Sequence, residues 1–175
     1  MNARLGLVLL AFVAGCSGRT LGPKVASVAE TLPPAAVAAP WILQDEIWSG
    51  AWAAAAPALG DDADEWGRFE PQRVWLGIYR HENDAQRHMT VRAFAFRSAD
   101  DARRAYEFFR PRGDAEPFEI GDGGSWTDLG VLFAWGRLVF EIFGDRPSWA
   151  NQLQAVFIGS VIEKRMPPAL PEDPR

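Results

Sequence analysis

The chain has 175 residues, of which 48% are hydrophobic and 23% are charged, and its formal net charge is −5. This composition is typical of one globular domain and excludes a disordered or fibrous chain. The acidic balance argues against a nucleic-acid partner, because binding to phosphates needs a basic surface. The single cysteine excludes an intrachain disulfide framework.

The first sixteen residues predict where the protein is located. Leu5 to Val13 is an apolar stretch of nine residues behind a positive start at Arg4. It is shorter than the roughly 20 residues of a spanning helix and typical of the core of a signal peptide. The following Val13-Ala14-Gly15-Cys16 resembles the bacterial lipobox, in which small residues precede a cysteine that is lipidated after cleavage. We therefore expect residues 1–15 to be a lipoprotein signal peptide and Cys16 to carry the lipid; the alternative is a secretory signal without lipidation.

A lipidated Cys16 is not available as a nucleophile or metal ligand, and its acyl chains hold the protein on a membrane. The residue after it is Ser17 and not an acidic residue. This favours the outer membrane over the inner one. The expected location is the bacterial cell envelope, on the outer membrane facing the periplasm.

Proline and glycine separate a central domain from two flanking segments. Residues 16–40 are rich in alanine, glycine and proline and have no stable period, so we expect a flexible tether. As a flexible coil this tether would span about 27 Å. Residues 166–175 contain four prolines and are interpreted as a Pro-rich tail. The folded part is then a single α+β domain over residues 41–165.

Within this domain, hydrophobic periodicity and turn residues predict seven elements. They are, in chain order, a helix over 41–56 with an apolar stripe of Ile47, Trp48, Ala51 and Trp52, strands over 73–81 and 88–97, a helix capped by Ser98, strands over 130–135 and 137–143, and a helix capped by Ser148. An acidic loop over 61–65 follows the first helix. The last helix is expected to bury its Trp149, Leu153, Val156, Phe157, Ser160 and Val161 stripe.

The element order predicts an antiparallel four-stranded sheet built from two ββα units, at about 73–110 and 130–165, with helices packed on it and an N-terminal helix. The strands carry large apolar side chains on both faces, for example Leu76 and Ile78 against Trp75 and Tyr79. A sheet with one solvated face would alternate apolar with polar residues. We therefore expect both faces to be covered, the second one by the 41–56 helix, a partner or a ligand.

Residues that could carry chemistry are few. Trp66 and Trp126 lie in predicted loops, and exposed aromatic rings can stack on sugars or anchor a protein interface. We therefore take these two tryptophans as the candidate binding surface.

His81 and His88 flank the first hairpin turn, but zinc catalysis needs a third protein ligand. The acidic residues of 61–65 lack the pattern of a calcium loop. The glycines of 121–125 lack the lysine of a phosphate loop, so a tight turn is the simpler interpretation. No catalytic residue, cofactor or metal is expected.

Part of the domain resembles a family of uncharacterised bacterial secreted and lipid-anchored proteins that share a domain of unknown function. The resemblance runs from Val91 to Phe143. It rests on the segments Phe94-Ala95-Phe96, Ser98-Ala99-Asp100-Asp101-Ala102, Tyr106 to Phe109, Ile120-Gly121-Asp122-Gly123-Gly124 and Trp135-Gly136-Arg137-Leu138-Val139. It implies an envelope location and an α+β fold, and it transfers no catalytic residue.

The sequence leaves three functional hypotheses. The first is a lipid-anchored, non-enzymatic envelope protein that binds a partner, either an envelope protein or a glycan, or has a structural role. The second is a carrier that holds a small apolar ligand between sheet and helices. The third is an envelope hydrolase, which would need two facing carboxylates or a serine beside His81.

Overall fold

A computed structural model describes residues 28–32, 40–111 and 118–166, and it is a mixed α+β fold around an antiparallel sheet. The strands are β1 (Trp41–Leu43), β2 (Trp48–Ala51), β3 (Arg73–His81), β4 (Asp84–Ala95), β5 (Gly123–Trp126), β6 (Gly130–Trp135) and β7 (Leu138–Gly144). The helices are α1 (Val28–Thr31), α2 (Trp52–Leu59), α3 (Asp62–Gly67), α4 (Ala99–Phe109) and α5 (Trp149–Arg165). None of these helices is long and apolar enough to cross a membrane.

The two expected ββα units form the centre of the fold. The β3–β4 hairpin is followed by α4, and the β6–β7 hairpin is followed by α5. The hairpins meet where β4 pairs antiparallel with β7, with Val91 opposite Ile142 and Ala93 opposite Phe140. The antiparallel α+β architecture is thus confirmed.

The expected number of strands is wrong, because the described residues form a sheet of seven strands, in the order β1-β3-β4-β7-β6-β5 with β2 also on β3. The three additional strands, β1, β2 and β5, have only three or four residues each. Such a strand is too short for its alternation of apolar and polar residues to be distinguished in the sequence. It is defined by the neighbouring strand with which it pairs.

The predicted helix over 41–56 is also wrong. Residues 41–43 and 48–51 pair with the two halves of β3, and only Trp52–Leu59 is helical. The indole of Trp48 lies over Gly50, where a Cβ would come within 2.7 Å of it. Gly50 disfavours a helix and permits this close contact in an extended strand. The acidic segment that follows forms helix α3 in place of the expected loop.

Helices pack on both faces of the sheet, and they bury most of the apolar strand residues. On the first face, α5 and α1 pack over side chains such as Tyr79, Val91, Phe133 and Phe140. On the second face, α2, α3 and α4 pack over side chains such as Val74, Phe94, Leu132 and Val139. The helices after Ser98 and Ser148 therefore lie on opposite faces of the sheet.

Serine caps begin both long helices, as predicted. The Ser98 hydroxyl accepts a hydrogen bond from the Asp101 amide at 3.1 Å, and the Ser148 hydroxyl accepts one from the Asn151 amide at 3.0 Å. Each cap satisfies one backbone donor that the first turn leaves without a helical partner.

The buried side of α5 differs from the expected one. Ala155, Ile158, Gly159 and Ile162 face the sheet, whereas Trp149, Leu153 and Phe157 are exposed. A Cβ on Gly159 would lie 2.9 Å from Ile120 Cδ1 and 3.3 Å from Phe133 Cε1. Small residues on this side let the helix approach the large side chains of the sheet, and the bulkier side is left outside.

Residues 28–32 fall within the expected tether but form α1 and the turn after it, with Val28 and Leu32 buried in the cluster below α5. Cys16, the expected signal peptide and the expected tail beyond Met166 lie outside the described residues.

Candidate binding surface

The second sheet face is covered only in part. Side chains alternate along a strand, so Leu76 and Ile78 share the face of the buried Val74, and Arg92 and Thr90 share the face of the buried Phe94. We name the uncovered part the open sheet face. It consists of Ile42, Trp48, Leu76, Ile78, Thr90, Arg92, Glu141 and Phe143.

Strand register arranges these side chains in rows. One row crosses four strands, from Trp48 to Leu76, Arg92 and Glu141, which are successive Cα partners. The next row runs from Ile78 to Thr90 and Phe143. Residues paired across antiparallel strands point to the same side and contact one another, so the rows form a continuous surface.

Apolar side chains are exposed at one end of this surface. Ile42, Trp48 and Ile78 come from three different strands, and each is 40% exposed. Single exposed apolar residues are common on proteins, but a cluster that extends across neighbouring strands is typical of a contact surface.

An arginine with two carboxylates lies beside this apolar cluster. Arg92 Nη1 is 2.7 Å from Asp62 Oδ2 and 3.2 Å from Glu141 Oε2. The guanidinium carbon lies 4.7 Å from the ring centroid of Phe143. The buried Nε of Arg92 has no hydrogen-bond partner within the described part of the chain. A buried donor without a partner costs roughly 1–3 kcal/mol.

The environment of Glu141 changes its acidity. Burial raises the pKa of the Glu141 carboxyl above its ordinary value; the positive charge of Arg92 lowers it in part, and the nearby Asp62 raises it. Asp62 is itself largely in water, with 56% of its side chain exposed. The arrangement places the partly buried Arg92 cation between a partly buried carboxylate and a solvated one, at the edge of an apolar surface.

Trp66, which the sequence suggested as an exposed loop residue, is buried. It belongs to α3 and is 2% exposed. Its indole stacks against Phe94 at 3.8 Å on one side and Phe109 at 3.9 Å on the other. The expectation that Trp66 is exposed is wrong, because the acidic segment around it forms a helix that turns the ring into the core.

Trp126 lies at the end of the edge strand β5 and is half-buried. Its ring is 5.2 Å from Phe118 and 5.7 Å from the exposed Trp149 at the start of α5. The structure therefore places Trp126 beside the outer side of α5, away from the open sheet face.

The two histidines have separate environments. His81 contacts Trp41 edge-on at 5.2 Å and accepts a hydrogen bond from the Asn83 amide, whereas His88 pairs with Arg80 across the hairpin. Among the described residues, no group of three or more His, Cys, Asp or Glu side chains could hold a metal ion.

The glycine segment after Ile120 forms a turn. Gly121 has a φ of +59°, and a Cβ there would come within 2.1 Å of the Ala134 carbonyl oxygen. Glycine is needed here for both the positive φ and the close backbone approach, which supports the structural interpretation of this segment.

A surface groove of about 320 Å³ lies near the start of α4 and is lined by Arg68, Phe69, Glu70, Arg97, Asp101 and Arg104. Its ionic groups are largely paired with one another, as in the 3.1 Å contact between Arg97 and Glu70. Such exposed pairs contribute little to stability and leave little charge for a ligand.

No protein-family model matches the chain, and a search of curated proteins finds no significant match. The resemblance of residues 91–143 to a family of envelope proteins therefore stays an expectation. The open sheet face was not predicted from the sequence. The only signal for it in the sequence was the apolar character of both strand faces. That pattern does not indicate which part of a face the helices leave uncovered.

Proposed function

We propose that this protein is a lipid-anchored bacterial envelope protein whose α+β domain is a non-enzymatic binding module. A partner, either an envelope protein or a glycan, docks on the open sheet face. The proposal rests on one observation, the exposure of Ile42, Trp48 and Ile78 side by side next to the ion-paired Arg92. Aromatic and aliphatic anchors beside an arginine are typical of the centre of a recognition surface.

The packing of the interior favours a binding module over a carrier. Phe133 and Phe140 stack at 4.7 Å beneath α5, and Trp66 is stacked between two phenylalanine rings beneath α3 and α4. These aromatic side chains fill the space between sheet and helices in which a carrier would hold its ligand. Helix packing on both faces accounts for most of the apolar strand residues, whereas Leu76 and Ile78 lie on the open sheet face.

The two carboxylates near the surface give the hydrolase hypothesis a specific observation. Asp62 and Glu141 lie close together, and burial raises the pKa of Glu141, as a general acid requires. Both carboxylates, however, bind the same Arg92 nitrogen. The guanidinium therefore lies between the two carboxylates, where the scissile bond of a substrate would have to be placed. A binding function is the better proposal for this reason.

Site-specific crosslinking in the intact envelope tests this proposal. A photoreactive amino acid at Ile78 is expected to capture a defined partner, and one at Phe108, which is exposed to a similar degree on α4, is not. Ile42→Asp in the Ile78-labelled protein should abolish the capture. Equal capture from both positions, or capture unaffected by Ile42→Asp, would contradict the proposal.

A second measurement separates the partner classes. Mass spectrometry of the adduct distinguishes a peptide from a sugar. Release of defined sugar products by the purified protein, lost in Glu141→Gln, would favour the hydrolase hypothesis instead.

A further inference from the structure

The outer side of α5 carries an apolar stripe on the opposite side of the molecule from the open sheet face. Trp149, Leu153 and Phe157 are 66%, 45% and 44% exposed, respectively. They are spaced at i, i+4 and i+8, so they line one side of the helix over about two turns. We name these three residues the α5 stripe. Trp126 extends it at the N-terminal end through its contact with Trp149.

Polar side chains next to the α5 stripe form hydrogen bonds with the backbone of the domain. Gln152 donates to the Thr127 carbonyl at 2.8 Å, and Glu163 accepts from the Gly121 amide at 2.7 Å. The exposed Lys164 follows the stripe near the end of the helix. Large apolar side chains with basic residues beside them are typical of a helix that lies in the interface of a membrane.

The chain enters the fold beside the same helix. Val28 and Leu32, from α1 and the residue after it, are buried in the cluster that also contains Ile158 and Ile162 of α5. Cys16 precedes Val28 by twelve positions. Even fully extended, these positions span only about 40 Å. A lipid on Cys16 would therefore keep Val28, which lies in the same cluster as α5, within about 40 Å of the bilayer.

We propose that the α5 stripe rests on the surface of the lipid bilayer and orients the domain, so that the open sheet face points away from the membrane. This inference rests on the lipid anchor of the proposed function. It assigns Trp149, Leu153, Phe157 and the neighbouring Trp126 to contact with lipid.

A bilayer explains this narrow stripe better than a second copy of the chain. A stable protein interface buries about 800 Å² on each partner. The α5 stripe and the half-buried Trp126 do not reach that area, because all four side chains are already partly buried and even a fully buried aromatic residue contributes only about 150–250 Å². Contact with lipid needs less affinity, because a short tether holds the stripe at an effective concentration in the millimolar range.

The single cysteine allows the test to be made without biological lipidation. The chain from Cys16 onward is coupled through its thiol to maleimide phospholipids in phosphatidylcholine vesicles that contain brominated acyl chains. Bromine quenches tryptophan fluorescence only at close range. We expect at least twofold stronger quenching than for the same chain mixed uncoupled with these vesicles. Most of the additional quenching should disappear in Trp149→Phe, a mild change at an exposed position.

Charged substitutions give the matched control. Leu153→Asp combined with Phe157→Asp should reduce the quenching to the uncoupled level, whereas Phe108→Asp, at an exposed position on the other face, should leave it unchanged. Unchanged quenching in both Trp149→Phe and the double variant would overturn the proposal. A solution dimer of the uncoupled chain that the double variant dissociates would also overturn it.

The test is independent of the proposed anchor, because chemical coupling replaces lipidation. A protein that is not lipidated in cells can still rest on these vesicles, and a lipidated one can fail to do so.

Discussion

Gly136 forms the turn between β6 and β7 with a φ of +53°. The sequence placed this glycine where two apolar strands reverse direction, and the register, with Trp135 opposite Leu138, confirms a two-residue turn. An added Cβ would meet no other atom within 4 Å. A substitution here therefore reports backbone strain alone, without steric conflict.

We expect Gly136→Val to lower the free energy of unfolding by about 1–3 kcal/mol, because a β-branched residue resists the left-handed conformation. Gly136→Asn should cost clearly less, since asparagine tolerates this conformation better. Chemical denaturation of both variants checks the difference. Equal losses in the two variants would show that the conformation at this turn is not the cause.

Glu141 gives a prediction about pH. Because burial raises its pKa above the ordinary value of 4.5, the folded state binds this proton more tightly than the unfolded state. The stability from this proton is fully present below about pH 4.5 and is lost as pH rises through the raised pKa. Asp101, whose pKa is lowered mainly by its hydrogen bond with Ser98, acts with the opposite sign.

The free energy of unfolding of Glu141→Gln, measured by urea denaturation between about pH 4 and 8, should therefore fall less with rising pH than that of the wild type. The contribution of Asp101 is common to both proteins and cancels in the difference. Arg92→Met should steepen the decline, because it leaves the buried carboxylate without its cation. Parallel curves for the wild type and Glu141→Gln would contradict the assigned environment.

Residues 41–59 add two strands and a helix to the fold, where one helix over 41–56 was predicted. β1 and β2 pair with the outer edge of β3, and α2 covers the second face with Ala55 and Leu59. Trp41 of β1 is fully buried, and its indole nitrogen donates to Gln154 Oε1 on α5 at 3.2 Å. The segment thus closes a sheet edge and fills both layers of the core.

A chain that begins at Asp61 should therefore aggregate or bind a hydrophobic dye, because it exposes the edge of β3 and the surface beneath Trp41 and Leu59. A matched chain that begins at Ser27, and so keeps α1, β1, β2 and α2, should remain monomeric. Size-exclusion chromatography with dye fluorescence compares the two chains. A soluble and equally stable Asp61 chain would show that residues 41–60 are dispensable for the core.

The proposed lipid anchor and the folded domain are expected to act independently of each other. Among the residues that the structure describes, those in the cores on the two sheet faces begin at Val28, twelve positions beyond Cys16. Lipidation at Cys16 would therefore determine where the protein is and leave its stability unchanged.

Cys16→Ser should move the protein from the membrane fraction to the soluble fraction while its melting temperature stays the same. Fractionation after a high-salt wash measures the first effect, and thermal denaturation of the purified variant measures the second. A variant that still sediments with membranes after the wash would contradict the lipid anchor. Ser17→Ala, which keeps the cysteine, is the control and should remain with the membranes.

Features with local causes could be predicted from the sequence alone. The alternation over 73–81 and 130–135 predicted β3 and β6, and the serine caps predicted the starts of α4 and α5, as the structure confirms. Alternation and capping involve residues a few positions apart, so a single sequence contains them.

Which apolar side chains are buried depends on tertiary contacts. α5 is apolar around most of its circumference, so its buried side depended on how closely Gly159 could approach Phe133, 26 positions earlier in the chain. Trp66 is a core residue because α3 packs on Phe94. The open sheet face exists because the helices of the second layer do not cover Ile78. These outcomes depend on contacts between distant segments, and the local pattern of a sequence does not encode such contacts.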